Sequence, residues 1–370
     1  MPAQMRSPLT DYHVSQGATL GQYHGALVPA RFTDPVAEHR AVREASGLFD
    51  FSFRAKFQVK GRDHIRFLHR MLSNDIQKLS AGQGTYATLL NAQGHILVDL
   101  RLYRADDCCL VDTDADLCEK AMKGLARYVV GDQLEIAPLE LYALAFQGPR
   151  ARPLLEKTLH IELSAGLLGP AGQEFGHFAT NYAGHPIRVV SASSTGEEGY
   201  EVWVGARGLE AIWGAACGQA PTYGTLPCGF EALETLRIEA GIPRYGQELD
   251  EDTIPLEAGL NNALSFTKGC YVGQEIVERA RSRGHVNWKL VGLIVDSPQP
   301  PQPGDKLSAE GKEIGEVTSS CVSPTLGRTI ALAYVRREVS EPGAKLNFPS
   351  GVSAEVTSLP FYQRPPMSPP

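Results

Sequence analysis

The feature that most constrains this chain is a change of hydrophobic period at Gly61. Before it, in residues 53–60 (FRAKFQVK), Phe53, Ala55, Phe57 and Val59 fall on one face, the two-residue period of a half-buried strand. After it, Ile65, Leu68, Leu72, Ile76 and Leu79 recur at three- and four-residue steps, with Asp63 near the start and Ala81-Gly82 as the stop. This spacing predicts a strand followed by a helix. Residues 86–103 then read as two strands around the short turn Asn91-Ala-Gln-Gly94, residues 117–128 as a second helix, and residues 139–146 as another strand. A chain that changes period in this order is neither a helical bundle nor an all-β sandwich. The order strand-helix-strand-strand-helix-strand predicts an α+β, ferredoxin-like unit over about residues 52–147.

The mixture continues beyond it. Residues 185–204 read as a hairpin turning at Thr195-Gly-Glu-Glu-Gly199, and residues 227–241 as a helix opened by Pro227 and closed by Gly241 with Pro243 beyond. The proline-rich stretch 297–304 (SPQPPQPG) marks a boundary or a rigid surface loop. Four short strands follow, over residues 314–320, 329–335, 344–348 and 354–359, which predicts a small β-barrel or sandwich over 286–364. The body of the chain is expected over 21–285, with flexible tails at 1–20 and 365–370.

Of the 370 residues 43% are apolar and 21% charged, so the chain can bury substantial cores and is not disordered as a whole. A net charge of -7 argues against a nucleic-acid partner, which requires a basic domain. No apolar run approaches the about 20 residues of a membrane-spanning helix, and the first twenty residues lack the apolar core of a secretory signal. A soluble, cytoplasmic protein is expected. The seven cysteines, 108, 109, 118, 217, 228, 270 and 321, form no C-x-x-C pair and no finger spacing with histidine. Reduced thiols are therefore expected, with no metal site.

Three places break their local pattern. On the strand 95–104, Ile96, Val98, Leu100 and Leu102 share one face, and Asp99 lies on the other with Arg101. Either that face is solvated and Asp99 pairs with Arg101, or the carboxylate stands at a pocket edge and accepts a hydrogen bond from a ligand. On the helix 227–241, Arg237 occupies a slot in the apolar stripe of Phe230, Leu233 and Ala240. A buried guanidinium there needs an anion: Glu234 or Glu231 nearby, Glu201 from elsewhere, or a ligand carboxylate. In Lys268-Gly269-Cys270-Tyr271-Val272-Gly273-Gln274-Glu275, a thiol sits on a tight loop beside a cation, just before a predicted helix. That environment favours a reactive thiolate. The basic run Arg279, Arg281, Arg283, His285 and Lys289 follows it, as a solvated face or a docking site for an acidic partner.

Several motifs then come in a recognisable order: Leu236-Arg-Ile-Glu-Ala-Gly-Ile-Pro243, Tyr245-Gly-Gln-Glu248 and Pro255-Leu-Glu-Ala-Gly259. They resemble the central signature of the glycine-cleavage T-protein (aminomethyltransferase) superfamily. The likeness runs from Ala41-Val-Arg-Glu-Ala-Ser-Gly-Leu-Phe-Asp50 to Val317-Thr-Ser and Ser323-Pro-Thr-Leu-Gly327. Within that superfamily, residues 268–275 look like the hallmark of the YgfZ branch, folate-binding proteins that support the maturation or repair of iron–sulfur enzymes. T-proteins carry a Phe-Ile-Gly-Arg-Glu type segment there, without the cysteine.

The resemblance implies two interleaved α+β domains around a folate channel, followed by the barrel, with tetrahydrofolate or a derivative bound. It places Asp99 at the catalytic aspartate and Tyr86 at an aromatic lining position. It places Glu201 at a pterin-contacting carboxylate and Arg237 at the arginine of the central signature. Two positions depart from the family pattern: Val98 stands where a second acid is common, and Ser194 where a tyrosine often precedes the Thr-Gly-Glu turn. The first reading is thus a folate-binding protein of iron–sulfur metabolism, with Cys270 as its working thiol and iron–sulfur enzymes or assembly factors as partners. The second is tetrahydrofolate-dependent aminomethyl transfer. The third is a folate-sensing protein that docks a partner through residues 279–289.

Overall fold

The computed structural model describes residues 5–163, 174–282 and 286–364; the predicted tail 365–370 and part of the basic run lie outside them. The chain is mixed α+β, as expected, with a closed barrel at its C-terminal end.

The first α+β unit is a five-stranded antiparallel sheet in the order Gln83–Leu90, Ile96–Arg104, Cys108–Asp114, Arg54–Lys60, Glu135–Leu139. Helices His64–Met71 and Ala115–Ala126 cover one face. There the apolar sides of the strands (Phe57, Val59, Val98, Leu100, Leu102, Val111) meet Phe67, Leu68, Leu117 and Leu125. The unit has one strand more than the sequence order predicts. Cys108–Asp114 has an apolar half, Cys108 to Val111, and a polar half, Asp112 to Asp114, so it lacks the two-residue period of a half-buried strand, and all seven residues are buried. The strand predicted at 139–146 is in fact two: Glu135–Leu139 stays in this sheet, and Tyr142–Gln147 crosses to the next.

The helix predicted from Ile65 to Leu79 ends at Met71, and Leu72 is extended (φ -97°, ψ 153°). Ile76 remains buried in the same core, so the periodicity reports burial correctly while the backbone has left the helix. The physical reason is a tertiary contact. Lys268, from far along the chain, donates to the carbonyl oxygens of His69, Leu72 (2.5 Å) and Asn74 (2.9 Å), capping the helix end and fixing the turn. Lys268→Met leaves these carbonyls without their buried partner. It is expected to lower unfolding stability by about 1–3 kcal/mol in urea titrations.

The second unit is a six-stranded sheet in the order His177–Tyr182, His185–Ser191, Gly199–Val204, Tyr142–Gln147, Ser46–Asp50, Thr225–Pro227. Helices Ala151–Leu159 and Ala206–Tyr223 pack on one face through Leu154, Leu155, Ile212 and Trp213. Residues 5–20, expected as a flexible tail, are folded. Met5–Arg6 pairs with Ala26–Arg31 in a small three-stranded sheet, and Leu9 and His13 are buried. What holds them is invisible in local periodicity: Ser7 (2.5 Å) and His13 (3.0 Å) both bind the buried Asp50 carboxylate.

The terminal barrel closes in the order Trp288–Val295, Arg328–Arg336, Lys312–Ser323, Lys306–Ala309, Lys345–Asn347, Ser353–Thr357. The proline-rich stretch is a loop inside the barrel, between its first two strands, and not a boundary. Ile330 and Leu332 pack the barrel on Ile238 of the helix Phe230–Glu239. That helix is shorter than predicted because Pro227 closes a strand paired with Ser46–Asp50; Gly241, at φ +64°, ends it as expected. No described helix is long and apolar enough to cross a membrane.

Candidate functional site

A cavity of about 530 Å³ lies between the two sheets, the helix Phe230–Glu239 and the loop that follows it. Its apolar walls are aromatic: Tyr23, Phe51, Phe53, Tyr86, Phe175 and Phe230. The polar face of the five-stranded sheet forms its floor. Strand alternation that sends Val98, Leu100 and Leu102 into the core sends Asp99 and Arg101 the other way, toward the cavity.

Asp99 is not paired with Arg101. Tyr86 donates to Asp99 Oδ2 at 3.0 Å, and among the described residues Oδ1 receives no hydrogen bond. Burial, then the negative charge of Asp114, raise the Asp99 pKa to about 6; Arg54, the Tyr86 hydroxyl and Arg101 oppose the rise. Such a carboxylate is ionised at neutral pH, available as an acceptor and close to its titration range.

Arg101 instead donates to Glu201 Oε1 at 2.6 Å and to Ser194 at 3.1 Å, and Trp203 Nε1 donates to Glu201 Oε2 at 2.9 Å. Glu201 is fully buried with both oxygens engaged and does not line the cavity. Arg101 thus stands between the cavity and Glu201, the residue expected to contact a ligand.

Arg237 does reach the cavity wall, and its anions are protein groups: Glu234 at 2.5 Å and Glu248 at 2.8 Å, not Glu231 or Glu201. Arg244, bound to Glu234, lies over the rings of Tyr23 (5.0 Å) and Phe230 (5.3 Å). Both guanidiniums keep a buried Nε–H with no partner among the described residues. Cations already seated beside a cavity suit the anionic end of a ligand.

The segment 268–275 lies outside the cavity lining. Cys270 is exposed, and Lys268 points away into the carbonyl cage described above, so the expected thiol–ammonium pair does not form. Burial lowers the Lys268 pKa to about 8, against the opposing negative charge of Asp75. Tyr271 is buried in an apolar cluster with Leu90, Ile96 and Leu260. Gly273, at φ +81°, abuts the backbone of Asn91 and Gly94, where a Cβ would clash, and Gln274 and Glu275 open the helix Gln274–Ser282. The motif buttresses the hairpin that carries Tyr86 and Asp99.

Sequence reasoning missed the rest of the floor. Arg54 donates to Asp112 and to Asp114, each at 2.8 Å, and Tyr23 donates to the other Asp114 oxygen. The buried Lys56 ammonium stands 3.2 Å from Asp112. In register, Arg101 faces Asp112, Asp112 faces Lys56, and Asp114 faces Arg54. The signal was present: Arg54-Ala-Lys56, Asp99-Leu-Arg101 and Asp112-Thr-Asp114 each place two charges on one face of a strand. Three neighbouring strands sharing that pattern mark a charged layer, which is costly to bury unless something uses it.

Such a molecule, with a charged and aromatic cavity at the junction of two α+β units and a barrel, has the build of a small-molecule transferase or binding protein. Residues 9–268 match the GCVT N-terminal domain, and residues 289–363 match the glycine cleavage T-protein C-terminal barrel domain. The chain belongs to the glycine cleavage T-protein family. It is 34% identical to an aminomethyltransferase of Geobacillus sp. (strain WCH70) over 97% of this chain and 99% of that protein. It is 36% identical to one of Rubrobacter xylanophilus, over 97% and 94%. Its fold is similar to the crystal structure of the glycine cleavage system aminomethyltransferase T from Bartonella henselae. The TM-score is 0.89, at 27% identity over 98% of this chain and 99% of that one.

Proposed function

We propose that the chain is a tetrahydrofolate-dependent aminomethyltransferase. The observation that carries this reading is Asp99, held by Tyr86 with one oxygen free, at the floor of an aromatic cavity. The names of the relatives favour it over the iron–sulfur reading. The residues present fit the ligand. Aromatic walls suit a flat pterin and its benzoyl extension, a free carboxylate oxygen suits an N–H donor, and the positive charges of Arg237 and Arg244 in the lining suit an acidic tail. Tetrahydrofolate, when bound, supplies the nitrogens that accept the one-carbon unit.

The chain's own part is to bind and orient. The Tyr86 hydroxyl fixes the plane of the Asp99 carboxyl group, and Asp99 Oδ1 accepts from the ligand and sets its angle. Since Asp99 titrates near pH 6, it serves as an ionised acceptor above that value and loses the role below it. Tyr23 and Phe230, with ring centroids 4.6 Å apart, exclude water from one side of the cavity.

A second reading, support of iron–sulfur enzymes through a working thiol as in the YgfZ branch, is favoured by one observation. Cys270 is exposed, whereas the other six cysteines are buried or partly buried. Cys270→Ala separates the two. Under aminomethyl transfer its turnover and tetrahydrofolate affinity stay within about twofold of wild type, because the thiol is outside the cavity. Loss of iron–sulfur enzyme activity in cells carrying Cys270→Ala, with no turnover by the wild type, would make the second reading the correct one.

A further inference from the structure

The charged floor holds more ionisable groups than contact with a ligand requires. Arg54 lines the cavity, yet its guanidinium is committed to two carboxylates of the neighbouring strand, Asp112 and Asp114, each at 2.8 Å. Asp114 in turn is the acidic neighbour of Asp99, and Thr113 beside it donates to the Asp99 backbone carbonyl at 2.9 Å. The Arg54 side chain is 13% exposed, too buried for solvent to screen it and too well paired to offer a ligand its main donors. We propose that Arg54, bridging Asp112 and Asp114, is a positioning residue that keeps Asp99 ionised at neutral pH. This rests on the reading of Asp99 as the working carboxylate.

The surroundings of Asp99 decide the sign of each contribution. Tyr86 from the preceding strand donates to it, and Arg101 on its own strand is held to Glu201. Asp114 on the next strand opposes its ionisation, and Arg54 on the strand beyond favours it. The Lys56 charge is spent on Asp112. Across the cavity stand Glu174, Glu234, Arg237 and Arg244, and both arginines donate to Glu234. Removing Arg54 strips Asp114 of its cation and leaves three carboxylates sharing one floor, so a proton then binds Asp99 more readily. Removing the Asp114 charge does the reverse. Two variants on the same bridge therefore move one titration in opposite directions, which loss of fold cannot imitate.

The experiment is a pH profile of kcat/KM from pH 5 to 9 for wild type, Arg54→Met and Asp114→Asn. It is paired with the pH dependence of thermal unfolding of each protein relative to its Asp99→Asn counterpart, which locates the Asp99 titration without turnover. The expected result is an acid limb near pH 6 in wild type. The limb moves up by about one unit in Arg54→Met and down by a similar amount in Asp114→Asn. At pH 5 this is roughly a tenfold lower rate in Arg54→Met and roughly a fivefold higher rate in Asp114→Asn than in wild type. Limbs that coincide in all three proteins, or that move the same way, overturn the inference. Should Arg54→Met not fold, Asp114→Asn alone decides by the direction of its shift. If Asp99→Asn fails to remove the wild-type limb, it is the reading of Asp99 that has failed. If it removes the limb while both bridge variants leave it in place, only the role of Arg54 has failed.

Discussion

Asp99→Asn is expected to lose turnover by about two to four orders of magnitude and, at the same time, to make the protein more stable at pH 8. The first effect follows from removing the charge that holds the acceptor. The second follows from the pKa of about 6 against an ordinary value of 3.8. A carboxyl group whose pKa is raised by folding takes up a proton between about pH 4 and 6. Below that range it contributes nothing, and above it the buried charge costs up to about 3 kcal/mol. The amide, which still accepts from Tyr86, removes that cost. Unfolding at pH 8 is expected to show a gain of about 1–3 kcal/mol, and at pH 4 almost none. A residue kept for structure loses stability when replaced; one kept for chemistry does not.

Arg237→Leu is expected to act in the opposite sense, costing about 3–5 kcal/mol of unfolding free energy. Arg237 is buried and joins Glu234 on its own helix, Glu248 on the following loop, and Ser319 on the barrel at 2.5 Å. Glu248 also accepts from Thr318 (2.8 Å), Ser319 (2.6 Å) and the Arg244 backbone N–H (3.0 Å). One guanidinium thus ties the cavity wall to the barrel, and without it a fully buried carboxylate faces its other donors unneutralised. Urea titration reads the loss, and adding Glu248→Gln is expected to recover part of it, since the unpaired charge is then gone. Equal stability of Arg237→Leu and wild type would show that this pair does not join the barrel to the body.

Much of this was legible in the sequence, for identifiable reasons. Period-two and period-3.6 patterns located the strand Arg54–Lys60, the helix Ala115–Ala126 and the barrel strand Lys312–Ser323, because each keeps its apolar residues mainly on one face. They failed for Cys108–Asp114, where charges on the inner face are neutralised by residues more than fifty positions away. They failed again after Met71, where a lysine nearly two hundred residues distant decides where the helix ends. Asp99 and Arg237 stood out because each violates its pattern, and both line the cavity. Glu201 was drawn in as a ligand contact by resemblance, and Cys270 by its place on a tight loop beside Lys268. Whether such a side chain meets a ligand depends on what stands in front of it, here Arg101 for Glu201. That is a fact of tertiary structure, with no local signature.

The most direct test of the central claim is tetrahydrofolate-dependent ammonia release from an aminomethylated lipoyl carrier protein, with methylene-tetrahydrofolate followed in the same samples. Wild type and Cys270→Ala are expected to release ammonia and form methylene-tetrahydrofolate in equal amounts, while Asp99→Asn falls by at least about a hundredfold with its fold intact. Tetrahydrofolate bound by the wild type without any ammonia release, or an Asp99→Asn variant as fast as wild type, would contradict the claim.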